Sequence, residues 1–183
     1  MAPPWKRWLG LEPRVVEVPP ELRVLMVCMG NICRSPMAEG VLRAKLSAAG
    51  LAGRIAVDSA GTIDHHAGEP PDPRAIRVAA RRGYDIAAQR ARAVDALDFS
   101  TFQRMLAMDD DNLAWLRKRA PADAQARIEL MLMHARPRAD TLEVPDPYYG
   151  GEAGFERVLD LLEAASDGLI LSLRADLAAR GAR

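Results

Sequence analysis

The chain has 183 residues, 49% of them hydrophobic, with 25 basic and 25 acidic side chains and no formal net charge. One domain with a packed core fits that length, and the balanced charge removes bulk electrostatic attraction as a basis for binding nucleic acid. The two cysteines, Cys28 and Cys33, stand too close together to staple a secreted fold, which points to a reducing compartment, the cytoplasm, and no apolar run reaches the roughly 18–20 residues of a membrane span.

Residues 1–21 read as an N-terminal extension and residues 22–183 as the folded domain. The extension holds Pro3, Pro4, Pro13, Pro19 and Pro20 and lacks the apolar centre of a signal peptide. Its Trp5-Lys6-Arg7-Trp8 run suits either an interfacial anchor or a loose, surface-packed segment. Leu22–Cys28 is apolar at nearly every position, the pattern of a buried strand. Ser35-Pro36 then opens a helix, with Ser35 as cap and Pro36 in the first turn, which runs to about Ala49 and closes at Gly50. Arg54–Ser59 reads as a second strand. Asp72-Pro73 starts a helix that reaches about Arg82 and stops at Gly83, and its Arg77, Arg81 and Arg82 read as a solvated basic face. Arg104–Met108 is a third strand, and Asp109 to Asp111 cap a helix to about Arg119. Arg127–Met131 makes a fourth strand. The last helix covers about Glu152 to Ala179, with a break expected near Asp167-Gly168. This alternation predicts an α/β fold, a parallel sheet with helices on both faces. Ligands of such sheets bind at the carboxyl ends of the strands.

Between the first strand and the first helix lies Cys28-Met29-Gly30-Asn31-Ile32-Cys33-Arg34, a C-x5-R segment. Amides at a helix start are unpaired, and the helix end carries partial positive charge, so the position suits an anion. Gly30 can take a positive φ, so the loop can curl and aim its amides inward. Arg34 offers a planar fork for two phosphate oxygens. A thiolate at Cys28 sits in the same field and becomes a nucleophile aimed at phosphorus. Ser35 can donate its hydroxyl to that sulfur, and Asn31 can tie the loop in shape. A C-x5-R segment also arises by chance, and a cysteine ending a strand is often only core. Its placement between strand and helix is what gives it weight.

A phosphatase must also protonate the leaving oxygen. In Glu143-Val144-Pro145-Asp146-Pro147-Tyr148-Tyr149-Gly150-Gly151, Asp146 stands between two backbone-stiffening prolines, with two tyrosines as flat walls for an aromatic substrate. A plain surface turn fits the same spacing. The adjacent pair His65-His66 has no third ligand nearby in sequence, so both read as loop residues rather than metal ligands. Asp109, at a strand's carboxyl end, reads as a helix N-cap that could also touch the site.

The segment Val27 to Glu39, around Cys28-Met29-Gly30-Asn31-Ile32-Cys33-Arg34-Ser35, resembles the signature of the low-molecular-weight protein tyrosine phosphatases. Asp146-Pro147-Tyr148-Tyr149-Gly150 resembles that family's general-acid loop. Asp58-Ser59-Ala60-Gly61, Pro71-Asp72-Pro73-Arg74-Ala75, Ala91-Arg92, Asp98-Phe99, and Ala107-Met108-Asp109 with Asn112-Leu113 match between them in family order. The resemblance spans about Leu22 to Leu173. It implies a three-layer, flavodoxin-like fold with a four-stranded parallel sheet, and no metal or other cofactor. It implies Cys28 as nucleophile, Arg34 as phosphate clamp and Asp146 as acid. Met29, Gly30, Asn31, Ile32, Cys33 and Ser35 form and organise the phosphate loop, and Ile32, His65, Tyr148 and Tyr149 line the substrate pocket. Cys33 would bond reversibly to Cys28 on oxidation. The implied partners are a phosphotyrosine protein and phosphate or another oxyanion as product or inhibitor. His65 stands where the family often has tryptophan or another large apolar residue, and Arg82 where many members place a histidine near the loop-bracing asparagine.

Three rival functions share these features. An arsenate reductase of the thioredoxin-coupled type needs further cysteines, and none follows Cys33. A protein-arginine phosphatase resembles this chain but carries threonine where Ile32 stands, and an apolar Ile32 suits an aryl ester better. A non-catalytic phosphate-binding or redox-sensing module predicts loss of Arg34 or Asp146, and both are present.

Overall fold

The structure, a computed structural model, describes residues 19–182. The readings of Trp5–Trp8 and of most of the extension fall outside the described residues. Strands β1 (Leu22–Cys28), β2 (Ile55–Gly61), β3 (Arg104–Ala107) and β4 (Arg127–Leu130) form one parallel sheet in the order β2-β1-β3-β4. The helices are α1 (Arg34–Ala48), α2 (Pro73–Arg81), the short α3 (Asp98–Thr101), α4 (Asp110–Arg119) and α5 (Glu152–Gly181).

The apolar run of β1 has a physical cause. Alternate side chains of a strand point to opposite faces. Leu22, Val24, Met26 and Cys28 join one core with residues of α1, α2 and α5. Leu25 and Val27 join a second core with Phe99, Phe102 and Leu116. Both faces are covered, as a parallel sheet requires. This is the three-layer α/β arrangement expected. β1 is flanked by β2 on one side and β3 on the other. Its carboxyl end therefore opens into the crevice where the connections diverge, and Cys28 is its last residue.

Several local expectations need correction. α5 runs unbroken through Asp167 and Gly168. A Cβ at Gly168 would lie 1.9 Å from the carbonyl oxygen of His134, so the glycine permits close packing rather than a break. The fourth strand ends at Leu130, and Met131–His134 form a 3-10 turn. Arg77, Arg81 and Arg82 are not merely solvated. Arg77 and Arg81 pair with Glu152, and Arg82 pairs with Glu156 (2.7 Å), Asp160 (2.7 Å) and Glu163 (3.2 Å) along α5. Arg82 is thereby committed to α5 and supplies no bond to Asn31.

Candidate active site

After Cys28 the chain turns back on itself and enters α1 at Arg34, with Cys33 as an N-cap that gives no side-chain bond. Ser35 is not the cap. It is the second residue of the helix, and its hydroxyl points to the loop instead. The loop carbonyls face the scaffold: Cys28 O accepts from Thr62 N (2.9 Å), Met29 O from Ile63 N (3.1 Å) and Ile32 O from Asp72 N (2.8 Å). The N–H groups from Met29 to Cys33 donate to no acceptor among the described residues. With the carbonyls anchored and the amides free, the loop is a concavity of positive potential. Asn31, not Gly30, takes the left-handed conformation, with φ 55°. Asparagine tolerates that region better than other side-chain-bearing residues. Gly61 at the end of β2 makes room for the crossing, since a Cβ there would lie 2.7 Å from Met29 O and 3.2 Å from Asn31 N.

The buried polar groups beneath the loop have a determinate direction. Glu39 of α1 is 3% exposed, accepts from Ser59 Oγ (2.5 Å) and pairs with Arg43 (2.9 Å). An ionised carboxylate only accepts, so Ser59 donates to Glu39 and accepts from Asn31 Nδ2 (2.9 Å). The second hydrogen of Nδ2 goes to Ser35 Oγ, also at 2.9 Å. Ser35 keeps its own proton for Cys28 Sγ at 3.0 Å, with Ala60 O a weaker alternative at 3.4 Å. Both Nδ2 hydrogens of Asn31 are spent as donors, so Ser35 turns its own proton toward the sulfur. Asn31 Oδ1 accepts from Arg92 N (2.9 Å), and the Arg92 guanidinium is held by Asp58 and Asp98. Burial raises the Glu39 pKa above the ordinary carboxylate value, against the opposing Ser59 hydroxyl and Arg43 charge.

Arg34 is 3% exposed. Its Nη1 donates to Asp109 Oδ2 (2.5 Å) and Val144 O (3.2 Å), and its Nη2 to Asp146 Oδ2 (3.0 Å). Burial opposes the Arg34 charge, but Cys28, Asp146 and Asp109 outweigh it and hold the pKa above its usual value. The two carboxylates are not equivalent. Asp109 is 20% exposed and Asp146 46%. Breaking a buried pair costs about 3–5 kcal/mol, whereas an exposed one is worth about 0–1 kcal/mol. Asp109, which also caps α4 through Asn112 N (2.7 Å), is the fixed anchor. Asp146 is the exchangeable partner, shaped locally by a bond from Tyr148 N to its Oδ1 (3.0 Å).

A cavity of about 330 Å³ opens over this assembly. Cys28, Cys33, Arg34 and Asp146 line it, with Met29 and Gly30 of the loop. Ile32, His65, Tyr148 and Tyr149, the four pocket residues read from the sequence, line it too. Tyr149 is 98% exposed and rests edge-on against Tyr148 with ring centroids 5.1 Å apart, so it forms rim rather than wall. Ile63 and His66 also line the cavity and were not foreseen there. His66 is held by Glu69 through Nδ1 (2.7 Å), and its Cδ2 lies 3.1 Å from where a Cβ on Gly30 would be. Among the described residues no group of three or more His, Cys, Asp or Glu could hold a metal ion. Cys28 and Cys33 are free thiols. Burial pushes the Cys33 thiol up to about 12, with the negative charges of Asp72, Cys28 and Asp146 adding to it.

The chain matches the family model for low molecular weight phosphotyrosine protein phosphatase over residues 23–179. It is 44% identical over 162 residues to the low molecular weight protein-tyrosine-phosphatase of Streptomyces coelicolor, covering 87% of this chain and 98% of that one. Among solved structures, a protein tyrosine phosphatase from Entamoeba histolytica with Hepes in its active site superposes with a TM-score of 0.80 at 40% identity. That match covers 85% of this chain and 98% of the other. A Drosophila arginine phosphatase superposes with a TM-score of 0.78 at 28% identity, covering 83% and 98%.

Proposed function

The chain belongs to the low molecular weight phosphotyrosine protein phosphatase family, and on that premise we propose that it hydrolyses protein phosphotyrosine and other aryl phosphates through a phosphoryl group carried on Cys28. The observation that carries this reading is the directed chain from Glu39 to Cys28 beneath a loop of free amides. It presents a hydroxyl donor to the Cys28 sulfur within a loop arranged to hold a phosphoryl group.

In the first step the Cys28 thiolate attacks phosphorus in line with the aryl oxygen. The S–P bond forms and the P–O bond breaks. The electron pair leaves on the aryl oxygen, which takes a proton from Asp146. Amides of Met29 to Cys33 and the Arg34 fork hold the equatorial oxygens, and this fixed polarity supplies most of the rate. The incoming phosphoryl group competes with Asp146 for Arg34 Nη2, while Asp109 and Val144 O keep Nη1 in place. In the second step water attacks phosphorus, Asp146 takes its proton, and the S–P bond breaks to restore the thiolate. Tyr148 and Ile32 flank the aromatic ring, and His65 adjusts which neighbouring residues are accepted. A peroxide would oxidise the Cys28 thiolate to a sulfenic acid, Cys33 would displace water from that sulfur to form the disulfide, and a cytoplasmic thiol would reduce it again.

Replacing Cys28 by serine tests the assignment. C28S is expected to lose turnover of para-nitrophenyl phosphate while still binding phosphate or vanadate; retained turnover overturns it. Matched peptides bearing phosphotyrosine or phosphoarginine test the substrate. Apolar Ile32 predicts preference for the aryl ester, and I32T is expected to narrow that preference.

A further inference from the structure

The loop that carries Asp146 has few attachments. Apart from its bonds to Arg34, the stretch 145–151 receives one side-chain hydrogen bond from outside itself among the described residues, from Arg74 Nη1 to Gly150 O at 2.9 Å. Arg74 stands in the first turn of α2, and its side chain is 29% exposed. Its Nε and Nη2 fork onto the two oxygens of Asp72, at 3.0 and 2.8 Å. Asp72 N in turn donates to Ile32 O in the phosphate loop (2.8 Å). The guanidinium carbon lies 5.7 Å from the ring centroid of Tyr148 and 4.8 Å from that of Phe155, the buried aromatic in the first turns of α5. One planar group therefore touches the phosphate loop through Asp72, the acid loop through Gly150 and Tyr148, and the helix that follows through Phe155.

Resting on the phosphatase reading above, we infer that Arg74 is a positioning residue that sets the distance between the general acid Asp146 and the nucleophile Cys28. Arg74 lines no part of the substrate cavity and acts through the loop. Arginine suits the task because its rigid fork bonds a carboxylate and a carbonyl while its faces lie against aromatic rings. A lysine can reach one acceptor at a time and keeps the geometry only in part. Arg34 alone cannot hold the acid in place, because the phosphoryl group competes for its Nη2 during the reaction.

The inference separates loss of acid placement from loss of fold. An acid out of place slows esters with poor leaving groups and spares those with good ones. A loosened fold slows all of them alike. The experiment measures kcat/KM for phenyl, para-nitrophenyl and 2,4-dinitrophenyl phosphate with wild type, R74M, R74K, D146A and R74M/D146A, and vanadate inhibition for each. R74M is expected to lose about 30-fold on phenyl phosphate and less than about 3-fold on the dinitrophenyl ester, a part of the ~10²–10⁴-fold that general acid catalysis supplies. Vanadate inhibition is expected to change by less than about 2-fold, since Asp72 N still donates to Ile32 O and the loop amides keep their place. R74K should fall between wild type and R74M, and R74M should add nothing once Asp146 is alanine. If R74M does not fold, R74K gives the same readout. A loss equal across all three esters, no loss, or full additivity with D146A overturns the inference while leaving the phosphatase reading standing. If wild type hydrolyses none of these esters, that reading fails and this inference fails with it.

Discussion

Residues 28–35 and residues 145–151 meet at Arg34, yet the polar side chains of the first are sunk in the core and most of the second stands on the surface. Cys28, Asn31, Arg34 and Ser35 are all at most 3% exposed, and a chain of buried side chains from three elements holds them. Pro145, Asp146, Tyr148, Tyr149 and Gly150 are exposed, and two guanidiniums hold their loop to the scaffold. The difference follows the chemistry proposed for the two loops. The nucleophile and its anion cradle must be complete before substrate arrives, because reorganising polar groups during the reaction raises the barrier. The acid must give up a proton and later take one from water, so it needs solvent contact and a partner it can release.

The largest expected effects divide along that line. D146A should lose about 10²–10⁴-fold on esters with poor leaving groups and far less on good ones, read from kcat/KM across a series of substituted phenyl phosphates. N31A should lose about 10²–10³-fold on all esters alike, because the cradle itself slackens. A uniform loss in D146A, or a leaving-group-dependent loss in N31A, breaks the contrast. N31A also removes three hydrogen bonds, two of them buried and one half-buried, and should lower stability by about 2–4 kcal/mol in urea unfolding.

Smaller effects sharpen the picture beneath the loop. The folded pKa of Glu39 is raised, mainly by burial. Its contribution to stability is therefore fully present below the unfolded carboxylate value and is lost as pH rises through the folded value. Urea midpoints measured from the acid side of that window to neutrality should fall more steeply in wild type than in E39Q. E39Q should also slow turnover about 3–10-fold, since a carboxamide that donates to Ser59 Oγ competes there with Asn31 Nδ2 and loosens the brace beneath the loop. The smallest effect belongs to Cys33. With its pKa at about 12 it stays a thiol at neutral pH, so iodoacetamide should label Cys28 first by peptide mass spectrometry, and C33S should keep its turnover.

What could be read from sequence was whatever depends on neighbouring residues. The apolar run of β1, the Asp72-Pro73 helix start, the C-x5-R spacing and the proline-flanked Asp146 are local patterns with local causes, and each stands where expected. Glycine permits a positive φ at Gly30, but Asn31 permits it too, and its three side-chain bonds place it there. Gly168 was read as a helix break, whereas the close passage of His134, distant in sequence, explains it. The Glu39–Ser59–Asn31 brace joins α1, β2 and the loop, and no local pattern announces it. One signal was available: Glu39 is an acid among small and apolar residues in Ser35-Pro36-Met37-Ala38-Glu39-Gly40-Val41, and a carboxylate buried there needs a partner. Arg74 and Gly61 lay within matched segments, but their contacts cross the fold. The family resemblance sets Arg82 where many members have a histidine near the bracing asparagine, while the acids of α5 claim it.

The central claim is that phosphate passes through the sulfur of Cys28. Mixing the enzyme with an aryl phosphate, quenching within milliseconds and sequencing its peptides by mass spectrometry reads this directly. A phosphoryl group on Cys28, formed and discharged at rates compatible with turnover, is the predicted result. Phosphate on another residue, or steady turnover with Cys28 never modified, would contradict the account.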